Sequence, residues 1–256
     1  EVSILPKHQT TLSQFDPAVH DVRAGSTTVD AAVERLVDKL TDRELLWLLD
    51  GDVPLRSMIR LPAKIKAGPI VGGAVERLGI PGVRFADGPR GVVMGHSTAF
   101  PVTIARAATW DRDLEQRVGY AMGLEARAGG ANYSGAVCIN LLRHPAWGRA
   151  QECYGEDPVL TGEMGVSLTL GLQRNVMACA KHFALNSMEN ARFRVDVTVD
   201  EHSLHEVYLP HFKKVIDAGA DSVMSSYNSV NGKYADVNKV LLSDILRDEW
   251  GFDGFV

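Results

Sequence analysis

The chain has 256 residues, enough for one large domain or two small ones. Its hydrophobic fraction of 45% and charged fraction of 23% are those of an ordinary globular protein, and 27 basic against 32 acidic residues leave a net charge of −5. That balance argues against nucleic acid as a partner, which calls for a basic face to displace counterions, and no apolar run reaches the roughly 20 residues of a membrane span. The basic positions Arg56, Arg60, Lys64 and Lys66 read as a solvated loop. Glu1-Val2-Ser3 offers neither an initiator Met nor a signal-peptide pattern, which leaves a removed signal open. The three cysteines, Cys138, Cys153 and Cys179, suggest neither a disulfide framework nor metal-ligand spacing, and Cys138 and Cys179 sit in apolar runs as core residues. They lean toward a reducing, cytoplasmic compartment over a secreted one.

In chain order, the first 25 or so residues read as irregular. Thr28 to Leu49 carries a helical pattern, with a second helix start at Thr41-Asp42-Arg43-Glu44 inside it. Pro54 to Gly73 reads as a loop. From Gly79 onward strands and helices alternate. Strands are expected at Ile80–Ala86, Thr103–Ala108, Ala136–Leu142, Val176–Phe183 and Asp221–Ser226, with a sixth starting at Phe252. Helices are expected from the Asp111 cap to Ala128, from Asp157-Pro158 to Leu172, from Asp200 through Val215, and near 240–250. Continuous apolar strands between helices are the mark of a parallel sheet covered by helices. The class expected is α/β, a (β/α)8 TIM-like barrel incomplete at its C-terminal end, with about six β/α units in residues 79–256. Residues 1–78 form an N-terminal extension packed on it.

Barrel enzymes build their sites on the loops after the strands. Those positions hold Asp87; Arg143, His144 and Arg149; Lys181 and His182, followed by Glu189, Asn190 and Arg192; and Tyr227 with Asn228. Each has a plainer reading. Asp87 before Gly-Pro could organise a turn. Arg149 could simply pair with Glu152 or Glu156, and Glu156-Asp157-Pro158 reads as helix capping. Lys181-His182 is harder to set aside, because two long polar groups leaving an apolar strand need partners. Strand alternation sends such neighbours to opposite sides, so one of the two could be structural. His96, His202, His205 and His211 lie outside this pattern and read as solvated or locally satisfied. No metal-ligand spacing, nucleophile elbow or phosphate loop occurs, so no cofactor or metal is expected. A mouth of one carboxylate, several cations and a Tyr suits a polyhydroxylated neutral ligand, with an anionic substrate as the rival.

Six segments then carry a resemblance. Asp87-Gly88-Pro89-Arg90-Gly91, Arg143-His144-Pro145-Ala146-Trp147-Gly148-Arg149, Tyr154-Gly155-Glu156-Asp157-Pro158, Lys181-His182-Phe183, Met224-Ser225-Ser226-Tyr227-Asn228 and Asn231-Gly232 resemble, in order, the N-terminal barrel of glycoside hydrolase family 3, in its β-glucosidase and β-xylosidase branch. The resemblance implies a retaining, exo-acting β-glycosidase with a β-glycoside as substrate. A noncatalytic sugar-binding barrel is the alternative. It implies that Asp87, Arg149, Lys181, His182, Arg192 and Tyr227 bind the sugar, with Arg143, Glu152 and Met224 as supports. It places the nucleophile just beyond Val256 and the acid/base carboxyl further on, in a second domain of the parent chain, so this piece alone is expected to be inactive. Val92-Val93 stand where many relatives place an Arg. Ala184-Leu185-Asn186-Ser187 follows Lys-His-Phe, unlike the N-acetylglucosaminidase branch.

Overall fold

The computed structural model describes residues 13–49 and 68–256. The basic positions at 56–66 lie outside them. The chain divides into two units, Glu1–Phe85 and Ala86–Val256.

In the first unit, the stretch expected to be irregular holds a helix, α1, Phe15–Arg23. Its N-cap, Gln14, makes no side-chain capping bond, but Ser13 Oγ one residue earlier accepts the Asp16 N–H at 3.1 Å, a helix-start sign that went unread. The pattern over Thr28–Leu49 resolves into α2, Val29–Val37, and α3, Asp42–Leu48. Thr28 caps the first by accepting the Ala31 N–H at 3.2 Å. Thr41 and Glu44 form a reciprocal capping box on the second. Arg77 donates two hydrogen bonds to Glu44 and one to the Lys39 carbonyl. The Arg77 hydrogen bonds, more than the capping bond from Thr41, hold the Glu44 carboxyl at about 2. The expected loop ends in a strand, β1, Ile70–Gly72, antiparallel to β2, Val83–Asp87. Gly82 makes their close approach possible: its φ is +70°, and a Cβ there would sit 2.5 Å from the Gly72 oxygen.

The second unit is built on three parallel strands in the order β3, Tyr133–Cys138; β4, Met177–Phe183; and β6, Ser222–Ser225. Every residue of β3 is buried, as a strand covered on both faces requires. Phe255 exchanges backbone hydrogen bonds with Asp221 and Val223 beside β6, where the sixth strand was expected to begin. The predicted strand at Thr103–Ala108 is instead a short helix, α4, Thr103–Ala107. A brief apolar run has no period of its own, and here the buried Arg106 turns inward from a helix. Helices α5, Arg112–Ala128, and α6, Pro158–Leu172, start on the expected caps, Asp111 and Asp157, each accepting a backbone N–H at 2.8 and 2.7 Å. They touch backbone to backbone at Gly171, where a Cβ would meet the Gln116 oxygen at 2.2 Å. The helical run after Asp200 passes through a π-helical turn, Leu204–Tyr208, into α7, Pro210–Asp217, and Val240–Glu249 is also π-helical.

Met122, Met164, Leu168, Phe183, Phe212 and Val215 form the core between sheet and helices. His211 is buried with them, contrary to the expectation of a solvated or locally satisfied ring. Its Nδ1 has no partner, and burial alone holds its pKa down at about 3. Asn231-Gly232, both at positive φ, turn a hairpin of β7, Ser229–Val230, and β8, Lys233–Tyr234, which pairs with β5, Asp196–Val197. No described helix is long and apolar enough to cross a membrane.

Candidate active site

The last residue of β2, the end of β4 and the loops after β3, β4 and β6 bring most of the predicted side chains into one linked group in the second unit. Lys181 donates from Nζ to Asp87 Oδ1 at 2.5 Å. The lysine side chain is 1% exposed and the carboxylate 46% exposed. The same Oδ1 accepts the Gly88 N–H at 2.8 Å. Asp87 therefore organises its turn and holds a charge partner with the same oxygen, Oδ1. Burial opposes the lysine charge, but the Asp87 carboxylate outweighs it and Lys181 stays protonated, its pKa raised. Nζ keeps two donors beyond the one given to Asp87.

Arg149, in the loop after β3, donates from Nε and Nη2 to Glu152 at 2.8 and 2.7 Å. Its Nη1 lies 2.9 Å from His182 Nε2. Burial works against this guanidinium too, and Glu152 reverses the balance. His182 is 2% exposed. Burial first, then the charges of Arg149, Lys181 and Arg192, push its pKa well below the ordinary value, so the ring is neutral. The β4–β6 register shifts between Lys181 and Phe183, which breaks the ideal alternation expected of the Lys-His pair. Arg192 pairs with Glu189 at 3.1 Å and stacks on Tyr227 and Phe193, 4.6 and 4.9 Å from their ring centres. Tyr227 lies 5.9 Å from the His182 ring and is 40% exposed.

Not every expected residue joins this group. Arg143 is exposed and lies over the Tyr208 ring at 5.8 Å. His144 is exposed and accepts the Ala146 N–H. Met224 stands opposite Lys181 in the β4–β6 register, half-buried. Among the described residues no group of three or more His, Cys, Asp or Glu is placed to hold a metal ion.

Three features went unread in the sequence. Asn140 grips His182 through its backbone and ring, at 2.8 to 3.2 Å. Arg106 and Glu115, both buried, form a two-pronged ion pair that also takes the Tyr154 hydroxyl, and Arg106 donates to the Pro89 and Pro101 carbonyls. This pair thereby props the turn after Asp87. Cys138 and Cys153, read as unrelated, lie with their sulfurs 3.4 Å apart beneath the Arg149 loop. An Asn closing an apolar run, two charges nine residues apart and two distant cysteines match no local pattern, so only the tertiary fold reveals them.

A model of the family described as "Glycosyl hydrolase family 3 N terminal domain" matches residues 71–256. The chain belongs to glycosyl hydrolase family 3. This family 3 chain is 44% identical over 233 residues to a β-glucosidase of Rhizobium radiobacter, covering 88% of the chain and 27% of that protein. It is 39% identical to thermostable β-glucosidase B of Acetivibrio thermocellus, covering 71% and 26%. Its fold superposes on β-glucosidase 3B of Thermotoga neapolitana, solved in complex with α-D-glucose, with a TM-score of 0.80 and 40% identity over 88% of this chain and 33% of that one. The family 3 chain thus spans about a quarter to a third of the length of these relatives.

Proposed function

We propose that this chain supplies the sugar-binding part of a retaining, exo-acting β-glycosidase that removes terminal nonreducing β-D-glucosyl or related residues. The observation that carries the reading is the Asp87–Lys181 pair, joined through one carboxylate oxygen only. The other oxygen accepts from sugar hydroxyls, and the two spare lysine donors and the two spare Arg149 donors give to them. A vicinal diol, which both donates and accepts, matches such a set. In this reading His182 and Arg192 hold the ring's surroundings, and Tyr227 lies beside the attacking carboxylate. Glu152 supports Arg149 directly; Arg143 and Met224 act as more distant supports. Residues 79–256 are part of a (β/α)8 barrel completed in the parent protein, and residues 1–78 are its N-terminal extension. None of the six binding residues is assigned as nucleophile or acid/base. The two carboxyl groups of a retaining reaction are assigned to chain outside these residues.

The relatives named β-glucosidases support the glucosyl reading over other sugars of the family. The test compares the parent protein and this 256-residue chain on aryl β-glucosides and β-xylosides. Hydrolysis by the parent, fastest on the glucoside, with none by the isolated chain, is the expected result. A parent inert on both substrates would overturn the glycosidase reading. Turnover by the isolated chain would overturn the placement of the carboxyl groups. A xyloside preference would move the sugar assignment.

A further inference from the structure

Asn140 directly follows Ile139 after β3 and is 1% exposed. Its side chain meets His182 at three atoms. Nδ2 donates to the His182 carbonyl at 2.8 Å, Oδ1 accepts the His182 backbone N–H at 2.8 Å, and Oδ1 lies 3.2 Å from the ring Nδ1. The two backbone bonds decide which way the amide faces, because a flip would set NH2 against N–H and oxygen against oxygen. With Oδ1 so fixed, the ring atom facing it must be a donor.

We infer that Asn140 is a positioning residue of this pocket: it holds His182 as the Nδ1–H tautomer and so turns the Nε2 lone pair onto Arg149. A second constraint agrees from the far side of the ring. Arg149 Nη1 is 2.9 Å from Nε2, and a guanidinium has donors only. The opposite tautomer would set N–H against N–H there. The ring thus passes one direction of hydrogen bonding from Asn140 to Arg149, whose other two engaged donors go to Glu152. Three of five donors are committed, which fixes the guanidinium plane and leaves two for a ligand. That last step rests on the glycoside reading of the pocket; the tautomer itself does not.

The charged groups facing His182 are Arg149, Lys181 and Arg192, each paired in turn with Glu152, Asp87 and Glu189, and the Tyr227 ring lies alongside. Burial first, and then these three cations, keep the ring neutral, and a neutral ring is what makes the choice of tautomer matter.

The test is nitrogen NMR on the 256-residue chain with labelled histidine. At neutral pH, His182 is expected to show a pyrrole-type Nδ1 and a pyridine-type Nε2. Asn140→Asp keeps the acceptor while losing the bond to the His182 carbonyl, so the same tautomer persists and the ring takes a proton at higher pH than in the original chain. Asn140→Leu removes the acceptor, so the Nδ1 proton loses its partner and its resonance shifts upfield, while Arg149 still faces Nε2; circular dichroism confirms the fold in all three. In the parent enzyme, Asn140→Leu lowers kcat/KM on an aryl β-glucoside about tenfold or more, the scale of one lost hydrogen bond to a buried group. Asn140→Asp loses less and moves the acid limb of the pH profile upward. An Nε2–H ring or an imidazolium at pH 7 in the original chain, or an Nδ1–H resonance left unshifted by Asn140→Leu, would overturn the inference. Should the tautomers follow the expectation while the parent hydrolyses no glycoside, the inference is upheld and the glycosidase reading is the one that falls.

Discussion

Two groups of charged side chains lie in the second unit, and they are finished to different degrees. Around Arg106 and Glu115 the bonding is closed: the guanidinium gives to Glu115 twice and to two carbonyls, and Glu115 also takes the Tyr154 hydroxyl. Burial opposes the Arg106 charge, yet its partners raise its pKa. Around Lys181 the bonding is open: a lysine as buried as Arg106 meets a carboxylate that is half in solvent and engaged through one oxygen. A closed network serves the fold. Spare donors and acceptors beside buried charges are what a polar ligand uses, so the difference between the groups separates architecture from function better than burial or charge does.

Breaking the closed group tests this most severely. Glu115→Ala leaves Arg106 buried without its counter-charge and is expected to cost about 3–5 kcal/mol in urea denaturation. Replacing Arg106 and Glu115 together by Met and Leu recovers most of that loss, because the penalty comes from the orphaned charge. Lys181→Met is the counterpart in the open group. It leaves Asp87 with solvent to turn to, so stability changes little. In the parent enzyme kcat/KM on an aryl β-glucoside falls about a hundredfold, the effect of removing one preorganised donor. Equal stability losses for the two changes would erase the distinction.

A smaller effect separates the two buried histidines. His211 is shifted down by burial alone, whereas His182 is shifted by burial and then by three cations. Both rings are neutral when folded. The unfolded chain takes up protons below the ordinary histidine value of about 6.5 that the folded chain does not. Stability from each ring is therefore present above that pH and lost as pH falls, for His211 down to about 3. The limiting slope is about 1.4 kcal/mol per pH unit per ring. His211→Leu is expected to remove one proton's worth of that slope between pH 4 and 6 in denaturation curves. An unchanged slope would mean that His211 titrates normally in the folded chain.

The open group was the more legible of the two in the sequence. Asp87, Lys181 and Tyr227 stand at the ends of apolar strands, where chain direction alone puts them at one mouth, and Arg149 follows the next strand in a Trp-Gly-Arg turn. The parallel strands β4 and β6 were likewise legible as apolar runs; β3 was placed late, at Ala136–Leu142, because the apolar run continues past the strand Tyr133–Cys138. Thr103–Ala107 was misread because five residues are too few to show a period, and the inward-facing Arg106 that marks it as a helix pairs with a residue on the next one. Asn140 was invisible for a related reason: its importance lies in a backbone 42 positions away. Local sequence reports the direction and covering of strands. It does not report which polar groups meet across them.

The three ion pairs of the open group carry a further consequence. Asp87 with Lys181, Glu152 with Arg149 and Glu189 with Arg192 place three negative charges beside three positive ones, around a neutral imidazole. The mouth is electrically balanced while densely polar. The three pairs largely cancel one another, so by themselves they add little long-range pull on an ion. On the glycoside reading, these pairs give a phosphorylated or carboxylated sugar little advantage in its approach, and an uncharged one meets donors and acceptors already in place. On that reading, recognition works at contact distance, by the count and direction of hydroxyl groups.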